Sequence, residues 1–434
     1  MKIDRIIAHF FPATPNIHSR YAWAFKVIVF LAVILYLVSC FTPLRLEYDS
    51  VRYFGMKDCL ENGCAPDSRA AKDFLPYGYP VLLLLLSKLG LLKSFFIVFI
   101  NAVYLLCSLY FIKNIIVPAH QRFVFFIAVL FHWTFIKLFA YPLSEMQYLF
   151  FSSGSLYFYH RYSHDKKALF LVLSFLLAIL SMFTRTVGIA LIIALFAGFA
   201  WENRKKFGYK INRLRLYAVL ALLMIAAFFA FTKIPELNHY THAFLKNEMG
   251  NPHLAGMFAG HLKEWGQLLL NVPIGKIENY FPVALVGIFF LVAGILLFSY
   301  FAYSVFKLRS IVSPTLIIYL IIYIIIIFNW PFHDPRFWVP ILPFIVSIIL
   351  QSSFTKIKLL RALAPLLFFI YMGMGVFAFG YSLYTEFNKK AFARGQAKGI
   401  FRNEYEMHFF GKVINDTATK VDAGVVELLG KYDK

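Results

Sequence analysis

Residues 314–350 read PTLIIYLIIYIIIIFNWPFHDPRFWVPILPFIVSIIL. The runs 314–329 and 337–350 are apolar almost throughout, and a short polar turn with His333, Asp334 and Arg336 separates them. Trp330 and Trp338 flank that turn, as aromatics do where hydrocarbon meets water. Helices of this composition have no polar face to offer to water. They must be solvated by lipid or by one another.

The rest of the chain follows the same pattern. Of 434 residues, 60% are hydrophobic and only 15% charged. Soluble domains average about 25% charged residues, and the mean hydropathy here is +0.69. A soluble enzyme, a disordered chain and a single-pass receptor are excluded. The reading is an all-α polytopic membrane protein.

A crossing helix needs about 20 apolar residues. Runs that meet or approach this are 21–40, 95–113, 123–140, 146–159, 168–183, 187–201, 216–231, 281–306, 314–329, 337–350 and 362–383, about eleven crossings. The run 81–92 is too short to cross and is expected to lie at the interface or to re-enter. The formal net charge is +21. Its basic residues fall in clusters between runs, such as Arg204, Lys205, Lys206, Lys210, Arg213 and Arg215, rather than in a stripe on a folded face. Nucleic acid is therefore not an expected partner; the clusters read as cytoplasmic loops under the positive-inside rule. With the N-terminus inside, the basic loops after spans four, six, eight and ten share one side. The apolar run at the N-terminus lacks a small-residue cleavage site and is expected to stay as a helix.

This topology puts the first loop, 45–80, a large loop, 233–280, and the segment 385–434 on the outer face, with residues 1–384 as the membrane domain. Cys59 and Cys64 lie in the first loop and are candidates for a disulfide in an oxidising compartment. Glu47 and Asp49 open that loop as two carboxylates at i and i+2, fit to serve as a general base or as ligands for a divalent metal such as Mg or Mn. No cofactor is required by the sequence. Pro76-Tyr77-Gly78-Tyr79-Pro80 forces a rigid turn before the interfacial run, and with it Tyr79 becomes a candidate wall for a ligand. Glu145 follows Pro142-Leu143-Ser144 at a helix start, where an acid also serves simply as a cap. Arg185 interrupts two apolar runs. Arg336 can fork onto a phosphate or pair with Asp334. His239 and His242, at i and i+3 in the large loop, lack an acid or cysteine nearby to complete a metal site. Glu47, Asp49, Glu145, Arg185, His333 and Arg336 all map to outer span ends. Carboxylates and arginines at one membrane boundary suit a substrate with an anionic headgroup and an apolar tail.

The order and sidedness of these motifs resemble the GT-C superfamily of membrane glycosyltransferases, which use polyprenyl-phosphate-linked sugars. The nearest branch holds the protein O-mannosyltransferases and the lipid A aminoarabinose transferase. The resemblance rests on Glu47-Tyr48-Asp49 after the first span, Pro76-Tyr77-Gly78-Tyr79-Pro80, Pro142-Leu143-Ser144-Glu145, Thr184-Arg185, and the run from Pro335-Arg336-Phe337-Trp338 to Pro343. It extends to the tenth span; the segment 385–434 has no counterpart. The family's acidic pair is usually Asp-Glu or Asp-x-Asp, so Glu-x-Asp leaves open which acid is the base. The resemblance implies a GT-C-like bundle with interfacial helices. It implies a sugar on a polyprenyl phosphate as donor and a lipid, glycan or protein acceptor, among membrane lipids. It also implies Asp49 as general base, Glu47 to orient it or to bind an acceptor group or metal, Arg336, Arg185 and His333 at the donor phosphate, and Glu145 at the sugar or in support of the site. The basic, aromatic-rich spans point to a bacterial inner membrane, with the endoplasmic reticulum as the alternative. Envelope oligosaccharide polymerases or ligases, and secondary transporters, are the alternative classes.

Overall fold

A computed structural model describes residues 22–203, 254–352, 358–415 and 424–433. The expected span 216–231, the basic cluster at 204–215, and His239 and His242 lie outside the described residues. The described residues form helices and no strand. In chain order the helices are α1 (Ala22–Val38), α2 (Tyr48–Asn62), α3 (Gly78–Lys88), α4 (Ser94–Ile115), α5 (Arg122–Leu130), α6 (Trp133–Leu138), α7 (Glu145–Asp165), α8 (Ala168–Thr184) and α9 (Ile189–Asn203). After the gap come α10 (Leu254–Leu269), α11 (Val283–Leu308), α12 (Pro314–Phe328), α13 (Leu342–Gln351), α14 (Lys358–Phe387), α15 (Lys389–Gly395), α16 (Arg402–Phe410) and α17 (Val425–Tyr432).

Four helical stretches are long and apolar enough to cross a membrane: Trp23–Phe41, Ser94–Ile115, Val283–Leu308 and Leu366–Phe387. Shorter apolar helices include Ala168–Thr184, which packs mainly on α7, and Pro314–Phe328, which packs mainly on α9. Outward faces are apolar as well. On α11, Leu285, Ile288, Phe289, Val292 and Leu296 are exposed, a surface that suits acyl chains. The closest pairings are α7 with α8, α10 with α11, α4 with α7, and α9 with α12.

The run 123–140 is not one helix. It breaks after Leu130, and α6 starts at Trp133. A break inside an apolar bundle frees backbone groups that need partners. His132 supplies one: its Nδ1 accepts from the Thr134 N–H at 3.2 Å, and its Nε2–H donates to the Leu268 carbonyl at 2.8 Å. Asn271 supplies others, and the Tyr36 hydroxyl bonds the Leu130 carbonyl. Its amide donates to the carbonyls of Phe131 (3.0 Å) and Tyr371 (2.9 Å), and its oxygen accepts from the Trp133 N–H at 2.9 Å. Asn271 holds φ 59°, the left-handed region that Asn tolerates better than most residues.

The described residues of the C-terminal segment are largely helical, and α14 runs on to Phe387 before it begins. It clamps the start of the first loop. Tyr405 donates to the Leu44 carbonyl at 2.7 Å and accepts from the Leu46 N–H at 2.8 Å. Asp433 accepts from the Leu44 N–H at 2.7 Å, and Lys57, buried on α2, donates to the Tyr432 hydroxyl at 3.0 Å. Cys59 and Cys64, with Cα atoms 4.9 Å apart, are joined in a disulfide at the far end of α2.

Asn271→Leu removes three hydrogen bonds and leaves buried backbone groups unpaired. Each orphan costs about 1–3 kcal/mol. The variant is expected to unfold at a clearly lower temperature in detergent, measured against Asn114→Leu, which loses only one exposed bond to its own helix.

Candidate functional site

Helix α2 begins with a reciprocal cap. The Glu47 side chain accepts from the Ser50 backbone, and the Ser50 hydroxyl accepts from the Glu47 N–H at 3.1 Å. This anchors the first turn and aims Asp49 away from Glu47. The Glu47 carboxylate instead lies 3.4 Å from Lys137 on α6. The two acids therefore do not converge. Among the described residues no group of three His, Cys, Asp or Glu is arranged to hold a metal.

Asp49 faces Arg336. Its Oδ2 lies 2.6 Å from Arg336 Nη2, and its Oδ1 accepts from Arg52 Nη1 at 3.0 Å. Arg52 in turn forks onto Asp73, with bonds of 2.8 and 2.6 Å, and stacks over Phe74. Arg336 also has Asp334 Oδ2 3.0 Å from its Nε, a charge contact whose angle is not that of a hydrogen bond. Asp334 caps the short 3-10 turn Pro335–Trp338 by accepting from the Arg336 N–H at 2.9 Å. Of the two sequence readings of Arg336, the pairing with Asp334 is present, and Asp49 is a second carboxylate partner beside it. Burial alone would raise the Asp49 pKa. The charge of Arg336, then of Arg52 and Arg185, outweighs burial and holds the carboxyl below its ordinary 3.8.

Arg185 stands in extended backbone between α8 and the turn that opens α9. Its Nη1 donates to Glu145 Oε1 at 2.5 Å. Glu145 is 2% exposed, at the positive end of α7, with its charge matched there by both the dipole and the guanidinium. Arg185 lines the cavity; Glu145 stands behind it and holds it. Gly78 permits the start of α3 to sit on the end of α8, since a Cβ there would lie 2.6 Å from the Phe183 carbonyl oxygen. Tyr79 is 1% exposed and packs against Tyr53 in the core. It does not line the cavity expected of it; the turn presents Leu75 and Pro76 instead.

The cavity shared by Asp49, Arg185, His333 and Arg336 has a volume of about 1070 Å³. Its walls are largely apolar, with Ile325, Ile326, Trp330, Phe332 and Phe337 on one side, and Arg69 and Lys72 stand among its charged residues. Pockets of about 300–1,000 Å³ hold drug-sized ligands, so this one is large enough for a headgroup with part of a chain. His333 Nε2 lies 3.2 Å from the Met257 carbonyl. With that nitrogen donating, the neutral ring presents Nδ1 as an acceptor, and it can donate to a phosphate only as imidazolium.

Behind His333 is a buried brace that the sequence did not single out. His261 Nε2 lies 2.8 Å from the Trp330 carbonyl, so it must carry a hydrogen. His261 Nδ1 lies 2.8 Å from Glu264 Oε2, which also accepts from Trp338 Nε1 at 2.7 Å. The brace holds both ends of the turn that carries Arg336. Gly260 allows His333 to lie across α10, because a Cβ there would fall inside the His333 ring.

Arg52 and Asp73 also escaped the sequence reading. The signal for Arg52 was present as an i,i+3 partner of Asp49 on a helix. Asp73 had no such signal. Comparison with known proteins adds no identity: no family model, no curated protein and no solved structure matches the chain.

The lowered pKa of Asp49 fixes a pH dependence. Its ion pair contributes stability above the ordinary value of 3.8 and loses it as pH falls through the still lower folded value. The unfolding midpoints of the wild type and of Asp49→Asn should therefore differ by a near-constant amount between about pH 5 and 8, and converge only in stronger acid. Convergence near pH 6 would show that the arginines do not hold the carboxylate as described.

Proposed function

We propose that the chain is an integral membrane glycosyltransferase that moves a sugar from a polyprenyl-phosphate donor to an acceptor hydroxyl, with inversion, on the extracytoplasmic side. The reading places about eleven crossings in the bundle, the shorter apolar helices tilting or crossing in pairs, with the N-terminus cytoplasmic in a bacterial inner membrane. The resemblance to GT-C enzymes motivates it. The observation that carries it is the 2.6 Å contact of Asp49 with Arg336 at a large, mainly apolar cavity.

That contact couples binding to chemistry. A donor phosphate competes with Asp49 for the Arg336 fork, with Arg185, Arg69 and Lys72 adding positive charge to the same walls. Once the phosphate takes Arg336, Asp49 is left with Arg52 and can turn an oxygen to the acceptor. The acceptor oxygen then attacks the anomeric carbon opposite the phosphate, and its proton passes to Asp49. The bond from the anomeric carbon to the phosphate oxygen breaks, and its electron pair leaves with the polyprenyl phosphate. The arginines stabilise that anion, so it needs no proton. The polyprenyl chain lies along Ile325, Ile326 and Phe332. Glu47 acts through the cap that sets α2, and Glu145 through Arg185; both are positioning residues.

Asp49→Asn should reduce sugar transfer by at least about 10²-fold, the usual scale of general-base catalysis. It should bind undecaprenyl phosphate in nanodiscs at least as tightly as the wild type, because the competitor for Arg336 is gone. Arg336→Ala should weaken that binding by roughly 10- to 100-fold, the range of a lost charge-assisted bond. Full activity in Asp49→Asn removes the base assignment. Uptake of a labelled solute into proteoliposomes, with no lipid-linked sugar consumed, would assign the fold to transport instead.

A further inference from the structure

A second cavity, of about 290 Å³, lies on the other side of α2. Its floor is α2 itself, through Val51, Gly55 and Asp58, and its outer wall is the C-terminal segment, through Phe401, Leu428 and Lys431. Tyr48, Arg52, Arg69 and Asp73 line both cavities, so these four residues form the partition between them. Arg52 bonds to Asp49 on one side of the partition and to Asp73 on the other. Tyr48 and Arg69 close the remainder by a direct side-chain contact, and both are exposed.

The two cavities differ in chemistry. The first is large and apolar. The second sits at the lower limit of ligand pockets, about 300 Å³, which suits a single ring and not an acyl chain. Three acids, Asp58, Asp73 and Glu427, face it with three bases, Arg52, Arg69 and Lys431. Opposed charges of equal number disfavour both an anion and a cation. Arg52 and Asp73 are already paired and Asp58 lies against Lys57, so Glu427, Arg69 and Lys431 offer the acceptors and donors for a neutral group rich in hydroxyls. Val51, Phe401 and Leu428 supply the apolar patch that the C–H face of a sugar ring needs. Among the described residues the Glu427 carboxylate has no ion-pair partner, and Lys431 stands one turn further along the same helix.

We propose that this second cavity is the acceptor subsite, that it takes a neutral sugar unit, and that the C-terminal segment builds it. Glu427 and Lys431 hold the ring hydroxyls, and one hydroxyl reaches Asp49 when the exposed Tyr48–Arg69 contact opens. The inference rests on the transferase reading for its catalytic meaning, but its binding claim stands apart from it. It gives the C-terminal helices a role in substrate choice beyond their clamp on the first loop.

The test reads binding without any donor. In the full chain in nanodiscs, Ala70→Cys places a thiol on the cavity wall, and its rate of reaction with N-ethylmaleimide is followed over that of the parent. The probes are methyl glycosides of common hexoses and pentoses. At least one should slow labelling saturably, about threefold when present at twice its dissociation constant. Adding Glu427→Gln and Lys431→Met should abolish this protection, read in each variant as the ratio of its labelling rates with and without glycoside, because the charges removed also set the thiol's own reactivity. Protection by no glycoside, equal protection by glycerol or inorganic phosphate, or protection that survives the double substitution would overturn the proposal. The Asp49→Asn background separates the two readings. Protection that persists there, alongside retained transfer, keeps the sugar site and removes only the base. Transfer that depends on Asp49 with no protection anywhere removes only the subsite.

Discussion

The half-buried ion pair between Asp49 and Arg336 ties the start of the chain to its last third. Charges set against so apolar a wall need partners. The structure surrounds the pair with further charges: Arg52 and Asp73 on one flank, Asp334 on the other, and the Glu145–Arg185 pair behind. Most of them stand near a helix start or in a connection: Asp49 and Glu145 in first turns, and Asp73, Arg185, Asp334 and Arg336 between the longer helices, while Arg52 lies within α2.

The same constraint explains the rest of the bundle. An apolar environment tolerates a break only where freed backbone groups are satisfied. His132 and Asn271 do this between α5 and α6. His261 does it for the turn after α12 by bonding the Trp330 carbonyl, and Glu264 holds the other end of that turn through the Trp338 side chain. The second brace has consequences for the site, since it sets the position of the turn that presents His333 and Arg336.

Much of the cavity was legible in the residues. Asp49, Arg185, His333 and Arg336 were singled out as charges at run ends, and they line one space. The reason is that a charge between apolar runs has few places to go. The roles of Glu47, Glu145 and Tyr79 were not legible, because whether a residue faces a cavity or the protein behind it depends on rotations of a few tens of degrees about a helix. Glu47 turns to Lys137, Glu145 to Arg185, and Tyr79 to Tyr53.

By itself the sequence determined the class: apolar helices, in number, separated by short polar turns. Composition is enough for that, since hydrocarbon solvation leaves helices as the choice for such runs. It also marked which turns carry charge. Only the tertiary structure decided that the run 123–140 breaks in two, that Arg52 and Asp73 complete the Asp49 cluster, and that a second cavity opens against the C-terminal helices. Each of these depends on contacts between residues tens to hundreds of positions apart, such as Asn271 with Phe131 or Tyr432 with Lys57. Local pattern carries no record of such pairings, because their free energy exists only when the chain has closed on itself.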